Sequence, residues 1–267
     1  MDPSKILIWN VRGLNRKSRR DAVRSMVADT RPDIVCLQET KKEATSRRMV
    51  MSMLGGDFDE FVTLPAVGTR GGILVAWKSG VCKALDIRVD VFSVSVRFDH
   101  VDDSPWWFTG VYGPRLDAMK VQFLQELRNV CQGCQGPWIV GGDFNLIYRA
   151  EDKNKDNVDR AMMGCFRHFL NDMELSEVAL MGRKFTWSNE REPPHWSDWI
   201  GCLSRLIGSS CSLIVYYKAP PRVSRTTALF SSVCMILLWE KGGSISRASG
   251  LNWMVFRKRF KDHGISQ

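Results

Sequence analysis

A chain of 267 residues with 44% hydrophobic content can bury a sizeable core, as one large α/β domain or two small ones. Residues 1–10 show no charged leader or cleavage-type sequence, and the apolar run 233–239 is too short for a bilayer, so neither signal peptide nor membrane anchor is expected. The net charge of +9 is no nucleic-acid signature by itself: residues 195–267 hold ten Lys+Arg against three Asp+Glu, leaving 28 against 26 in residues 1–194.

In chain order, residues 5–10 read as a strand. Residues 18–28 read as a helix, with Ser18 as N-cap and Ala22, Val23, Met26 and Val27 on one face. Residues 33–38 form the next strand candidate. Residues 44–54 form a second helix, closed by Gly55-Gly56. Residues 72–77, 83–88, 91–98 and 106–112 are rich in β-branched and aromatic residues and predict strands. A helix is predicted over 116–130, a short buried strand over 138–142, a helix over 160–173 and a strand over 185–188. So many successive strands argue for packed sheets with helices outside. Beyond residue 194 serine becomes frequent, acids nearly vanish and periodicity is lost, so no regular element is expected there. The eight cysteines are scattered. Cys131 and Cys134 form a lone C-x-x-C, and buried reduced thiols fit better than zinc.

Four motifs each put a polar residue at the end of an apolar, strand-like run. They are Ile8-Trp9-Asn10, Leu37-Gln38-Glu39-Thr40, Val111-Tyr112-Gly113-Pro114 and Gly141-Gly142-Asp143-Phe144-Asn145. Two carboxylates, two carboxamides and a phenol suit a Mg²⁺ ion and a phosphate. Three have plainer alternatives: Asn10 as a turn former, Glu39 as a solvated strand end, Tyr112 as a core tyrosine. Period-2 alternation predicts Asp143 and Asn145 on one face, the acid activating a water and the amide orienting a phosphoryl oxygen. Arg70, before Gly71-Gly72, can touch a backbone phosphate or simply sit solvated in a turn. Arg12 and Arg16, with Lys17, Arg19 and Arg20, form a phosphate-facing rim or a solvated helix start.

The segments 9–15, 37–41, 71–77, 142–145 and 185–189 resemble the endonuclease/exonuclease/phosphatase superfamily, the deoxyribonuclease I-like fold. They look closest to the endonuclease domain of plant LINE-type (non-LTR) retrotransposons. The resemblance covers about residues 4–194 and implies an α+β fold, a four-layer α/β/β/α sandwich, here C-terminally incomplete. It implies Mg²⁺-dependent nicking of DNA, with Mn²⁺ as a substitute ion, and residence in the nucleus. By motif, Glu39 and Asn10 would bind metal, Asp143 would position or activate water, and Asn145 and Tyr112 would hold the phosphate. The rival readings are a non-catalytic remnant that binds nucleic acid through its basic tail, and a superfamily phosphatase acting on a headgroup.

The same family needs an Arg-Leu-Asp-Arg strand and a late Ser-Asp-His segment whose histidine is the general base. Neither is present, and His100, His168, His195 and His263 do not replace it, so no general base is found. A coding-frame shift near Pro193-Pro194 would account for this, the alternative being a divergent natural tail. With synonymous codons chosen freely and one offset, residues 194–201 can encode Thr-Leu-Val-Arg-Leu-Asp-Arg, and residues 225–230 can encode Asp-His-Cys-Pro-Leu. The chain is thus expected to be a truncated endonuclease domain (1–194) followed by an aberrant, poorly ordered basic tail (195–267), inactive or very weak.

Overall fold

A computed structural model of the chain describes residues 4–68, 71–99, 105–149 and 159–177, together with the strand segments 180–181, 187–188, 196–197, 200–205, 211–218 and 234–241. The strands are β1 (Ser4–Asn10), β2 (Ile34–Gln38), β3 (Glu60–Leu64), β4 (Ile73–Trp77), β5 (Ala84–Val89), β6 (Ser93–Phe98), β7 (Trp106–Tyr112), β8 (Trp138–Asp143), β9 (Ser176–Glu177), β10 (Leu180–Met181), β11 (Trp187–Ser188), β12 (Trp196–Ser197), β13 (Ile200–Arg205), β14 (Cys211–Lys218) and β15 (Cys234–Lys241). The helices are α1 (Lys17–Thr30), α2 (Arg47–Leu54), α3 (Asp117–Gly133) and α4 (Arg160–Asp172).

One sheet runs β10-β14-β15-β1-β2-β4-β3 and the other β5-β6-β7-β8-β13-β9, with β11 and β12 paired separately. The sheets face each other across a core that includes Ile6, Ile8, Ile34, Cys36, Ile73, Val75, Val94, Val96, Phe108 and Ile139. The alternate residues Leu7, Trp9, Val35, Leu37, Leu74 and Ala76 face α1 and α2. On the far side Trp107, Trp138 and Val140 face α3 and α4. The result is four layers, α/β/β/α. The central strands are buried on both faces, which is why β1, β2 and β4 read as continuous apolar runs rather than alternating ones.

Each sheet has a parallel pair at its centre, and the first has another at its edge, β10 with β14. In the first, β1 lies parallel to β2 with Asn10 opposite Gln38. In the second, β7 lies parallel to β8 with Tyr112 opposite Asp143. Gly110 on β7 lets the two sheets approach: a Cβ there would overlap the Cys36 sulfur across the interface.

Several expectations need correction. Helix α1 starts at Lys17 with Arg16 at the N-cap and no capping side chain, so Ser18 is inside the helix. Its buried face is Ala22, Val23, Met26 and Val27, as the spacing predicts. Helix α2 starts later than residue 44, because Ser46 caps it through a 3.2 Å bond from the Met49 N–H. Strand β3 was not expected: its residues are exposed or half-buried, so no strong apolar run marks it. The tail also differs from expectation. There β13 pairs with β8, while β15 pairs with β1 and β14. Runs such as Leu213-Ile214-Val215-Tyr216-Tyr217 have the β-branched and aromatic content a ladder requires, although they lack the alternation that announces a strand.

Candidate active site

The carboxyl ends of the two central parallel pairs, β1–β2 and β7–β8, meet at one end of the sandwich. Period 2 along each strand explains what is there. The inward positions run Ile6, Ile8, Asn10 on β1 and Ile34, Cys36, Gln38 on β2. They run Phe108, Gly110, Tyr112 on β7 and Ile139, Gly141, Asp143 on β8. Four strands thus deliver an amide, a second amide, a phenol and a carboxylate to one place. The Asn10 Nδ2 donates to Asp143 Oδ2 at 2.7 Å and joins the two sheets across it.

Glu39 and Asn145 arrive differently. Both lie just past their strands with φ of 54° and 50°, in the left-handed region that non-glycine residues avoid. Alternation therefore does not place Asn145, contrary to the expectation that it shares a strand face with Asp143. A tight turn does: the Asn145 N–H donates to Asp143 Oδ1 at 3.2 Å, and its Nδ2 donates to the Gly113 carbonyl at 2.7 Å. Gly113 is required there. Its N–H donates to the Asp143 carbonyl at 2.7 Å, and a Cβ would overlap the Phe144 carbonyl oxygen. Gly72 has a similar role for Glu39. The backbone N–H groups of Thr40 and Lys41 donate to Gly72 and Gly71 at 3.1 and 3.0 Å, and a Cβ on Gly72 would overlap Thr40 Oγ1.

The electrostatics are those of a buried charged site. Asn10, Glu39, Asp143 and Asn145 are all buried. Burial raises the Asp143 pKa to about 6, helped by the Glu39 charge and opposed by bonds from Asn10 and the Asn145 N–H and by Arg115. Burial, with the Glu39 and Asp143 charges, pushes the Tyr112 hydroxyl up to about 12, against the nearby Arg115. Lys41 Nζ stands 3.1 Å from one Glu39 oxygen, and Arg115 Nη2 stands 3.5 Å from the other. Glu39 Oε2 and Asn145 Oδ1 are nevertheless buried without a hydrogen-bond partner. Unsatisfied oxygens of this kind cost stability and mark a place for a metal, a water or a ligand.

Among the described residues no group of three or more His, Cys, Asp or Glu is arranged to hold a metal. The set present is Glu39 and Asp143 with the amides of Asn10 and Asn145. Two carboxylates plus amide oxygens suit a hard cation that keeps much of its water, as Mg²⁺ does, and the orphaned Glu39 oxygen fits that use.

The basic cluster is close by. Arg12, at φ 51°, donates its N–H to Asn10 Oδ1 at 3.1 Å. Arg19 donates to the Val11 carbonyl at 2.8 Å, and its pKa is lowered by burial and by the Arg12 and Arg16 charges. Arg12 is half-buried and Arg16 exposed. Arg70 lies outside the described residues, as do His100, His195 and His263, while His168 is exposed on α4. Cys131 and Cys134 are buried at the end of α3 and form no disulfide. No helix among the described residues is long and apolar enough to cross a membrane.

Three site residues were not singled out from the sequence. Lys41 and Gln38 sit inside a quoted motif, and only the local fold shows them facing the site. Arg115 follows Pro114 directly, but nothing in its spacing points toward Glu39.

Comparison with known proteins gives the fold a wider setting. The chain aligns over residues 7–228 with the Endonuclease/Exonuclease/phosphatase family. No curated protein matched. Among solved structures it is similar to an AP endonuclease, LMAP, from Leishmania major: TM-score 0.65, 17% identity, 91% of this chain and 89% of that one. It is similar to the endonuclease domain of TRAS1, a telomere-specific non-LTR retrotransposon, at TM-score 0.61 and 13% identity over 88% of this chain and 98% of that one. A 3′ phosphatase, NExo, from Neisseria bound to a product DNA hairpin gives TM-score 0.64 and 17% identity over 90% and 100%. With identities this low the structural likeness speaks for the deoxyribonuclease I-like fold, and the alignment over most of the chain makes it a member of the Endonuclease/Exonuclease/phosphatase family.

Proposed function

We propose that this chain is by descent a metal-dependent phosphodiester hydrolase of the DNA-nicking type, impaired in its present form. The convergence of Asn10, Glu39, Tyr112, Asp143 and Asn145, with buried oxygens that no protein donor satisfies, carries the reading. Glu39 and Asn10 would hold Mg²⁺, or Mn²⁺ in its place. When bound, such an ion polarises a phosphoryl oxygen and offsets its developing charge. The protein's own groups do the rest. Tyr112 keeps its proton at physiological pH and donates it in a hydrogen bond to the phosphate. Asn145 has one N–H spent on Gly113, which leaves the other for the phosphate and Oδ1 for a water. Asp143, held in place by Asn10, is ionised above about pH 6 and orients that water.

A histidine base is the missing part. Its absence removes general-base catalysis, a factor of roughly 10²–10⁴. The proposed cause is a one-base shift near Pro193-Pro194, which makes residues 195–267 an aberrant tail and residues 1–194 a truncated endonuclease domain. Ancestry in a plant LINE-type retrotransposon, a DNA partner and nuclear residence belong to the same proposal. Motifs such as Trp9-Asn10-Val11-Arg12-Gly13-Leu14-Asn15 support it. The second reading, a non-catalytic nucleic-acid-binding remnant, is favoured by the ten Lys+Arg against three Asp+Glu in the tail.

Plasmid nicking in Mg²⁺ tests both. The chain as it stands should nick weakly or not at all. The version with one base restored should nick, and its Glu39→Gln variant should lose at least about tenfold. A restored-frame protein that folds and binds Mn²⁺ yet does not nick would sink the hydrolase reading. Steep salt dependence of binding without cleavage would favour the remnant.

A further inference from the structure

Arg115 is fixed at its root and open at its tip. The preceding Gly113 is tied to the Asp143–Asn145 turn through two 2.7 Å bonds, one through its N–H and one through its carbonyl. Pro114, directly before Arg115, has its own φ fixed by its ring, and α3 begins immediately after Leu116. The Arg115 side chain nonetheless remains 63% exposed, whereas that of Glu39 is 7% exposed. Its guanidinium reaches Glu39 and lies near enough to the Tyr112 phenol for each to shift the other's pKa, so it stands at the mouth of the site beside both the phenol and the carboxylate. A plain surface ion pair would use this geometry to satisfy Glu39. Here Nη2 lies 3.5 Å away and Glu39 Oε2 still lacks a hydrogen bond. The planar fork therefore keeps N–H groups for an anion with spaced oxygens, the geometry of a phosphodiester. Burial opposes the Arg115 charge, but Tyr112, Glu39 and Asp143 outweigh it, and the pKa is raised.

We propose that Arg115 is a substrate-binding residue, gripping a non-bridging oxygen of the phosphodiester seated between Tyr112 and Asn145. The proposal rests on reading the pocket as a phosphodiester site. Neither the four motifs nor their order assigns this residue a role.

Equilibrium binding tests it on the full chain, whose weak catalysis leaves the probe intact. The probe is the dinucleotide thymidylyl-thymidine in Mg²⁺, followed by ³¹P NMR, because its single phosphodiester gives the basic tail little to hold. Arg115→Ala should weaken binding about tenfold or more, and Arg115→Lys should fall between, since it keeps the charge and loses the fork. Arg24→Ala, at an exposed arginine paired with Asp21, should change nothing. Melting midpoints should stay level; a purely structural Arg115 would move the midpoint and leave affinity alone. If Arg115→Ala binds like the wild type while Asn145→Ala weakens, Arg115 is not a phosphate ligand and the site reading stands. If the wild type does not bind the dinucleotide, or Asn145→Ala leaves binding unchanged, the phosphodiester reading falls and the proposal with it.

Discussion

The middle of the sandwich and its carboxyl-terminal end are built on the same four strands, yet they follow opposite rules. In the middle, inward residues such as Ile8, Cys36, Phe108 and Ile139 are apolar and buried. One inward position further along β1 and β2, and two along β7 and β8, the strands present Asn10, Gln38, Tyr112 and Asp143. Backbone strain separates the two regions as well. Six described non-glycine residues have positive φ. Arg31 and Glu174 end helices, and the other four, Arg12, Glu39, Lys41 and Asn145, surround the site. The middle contributes stability through burial, and the end consumes part of it in strain and in unsatisfied oxygens.

That contrast breaks hardest at Gly142. Its φ is 147° and a Cβ would overlap the Val111 carbonyl oxygen on the neighbouring strand. Gly142→Ala should destabilise the fold by more than about 3 kcal/mol in urea unfolding. A loss under about 1 kcal/mol would mean the β7–β8 end is not as tightly joined as described.

Asp143 tests the cost of the site's charge, with an intermediate effect. Its folded pKa of about 6 lies above the ordinary 3.8, so the folded state holds this proton more tightly than the unfolded one. The stability it contributes is complete below pH 3.8 and lost as the pH rises through 6. Asp143→Asn, which cannot ionise, should therefore stabilise the protein at pH 8 by roughly 2–3 kcal/mol and do little at pH 4. Thermal melts at the two pH values check this, and equal shifts at both would remove charge burial as the cause.

The smallest effect sharpens the comparison from outside the site. Gly164 lies inside α4 with nothing within 4 Å of an added Cβ. Gly164→Ala should stabilise the protein by about 0.5–1 kcal/mol without altering dinucleotide binding. A destabilised variant would show that this helix face is covered.

Legibility followed the length scale of the cause. Asn10, Glu39, Tyr112, Asp143 and Asn145 could be picked out because each ends an apolar run, a signal confined to a few neighbouring residues. The Ser18 cap failed because Arg16 already occupies that position, and cap and first turn compete within a residue or two. Strand β3 failed because an edge strand that is half-exposed lacks the apolar run of a central one. Arg115 was invisible because its ion-pair partner, Glu39, lies far from it in the chain.

By itself the sequence determined the periods of the strands, the buried face of α1 and the order of four polar strand ends, since these depend on neighbours within a turn or a strand. The tertiary structure alone decided that the four ends face one another, that Asn10 bonds Asp143 across two sheets, and that Glu39 stands between Lys41 and Arg115. Those depend on parallel pairing and on close approach at Gly72, Gly110 and Gly113, which bring together residues that no local pattern connects.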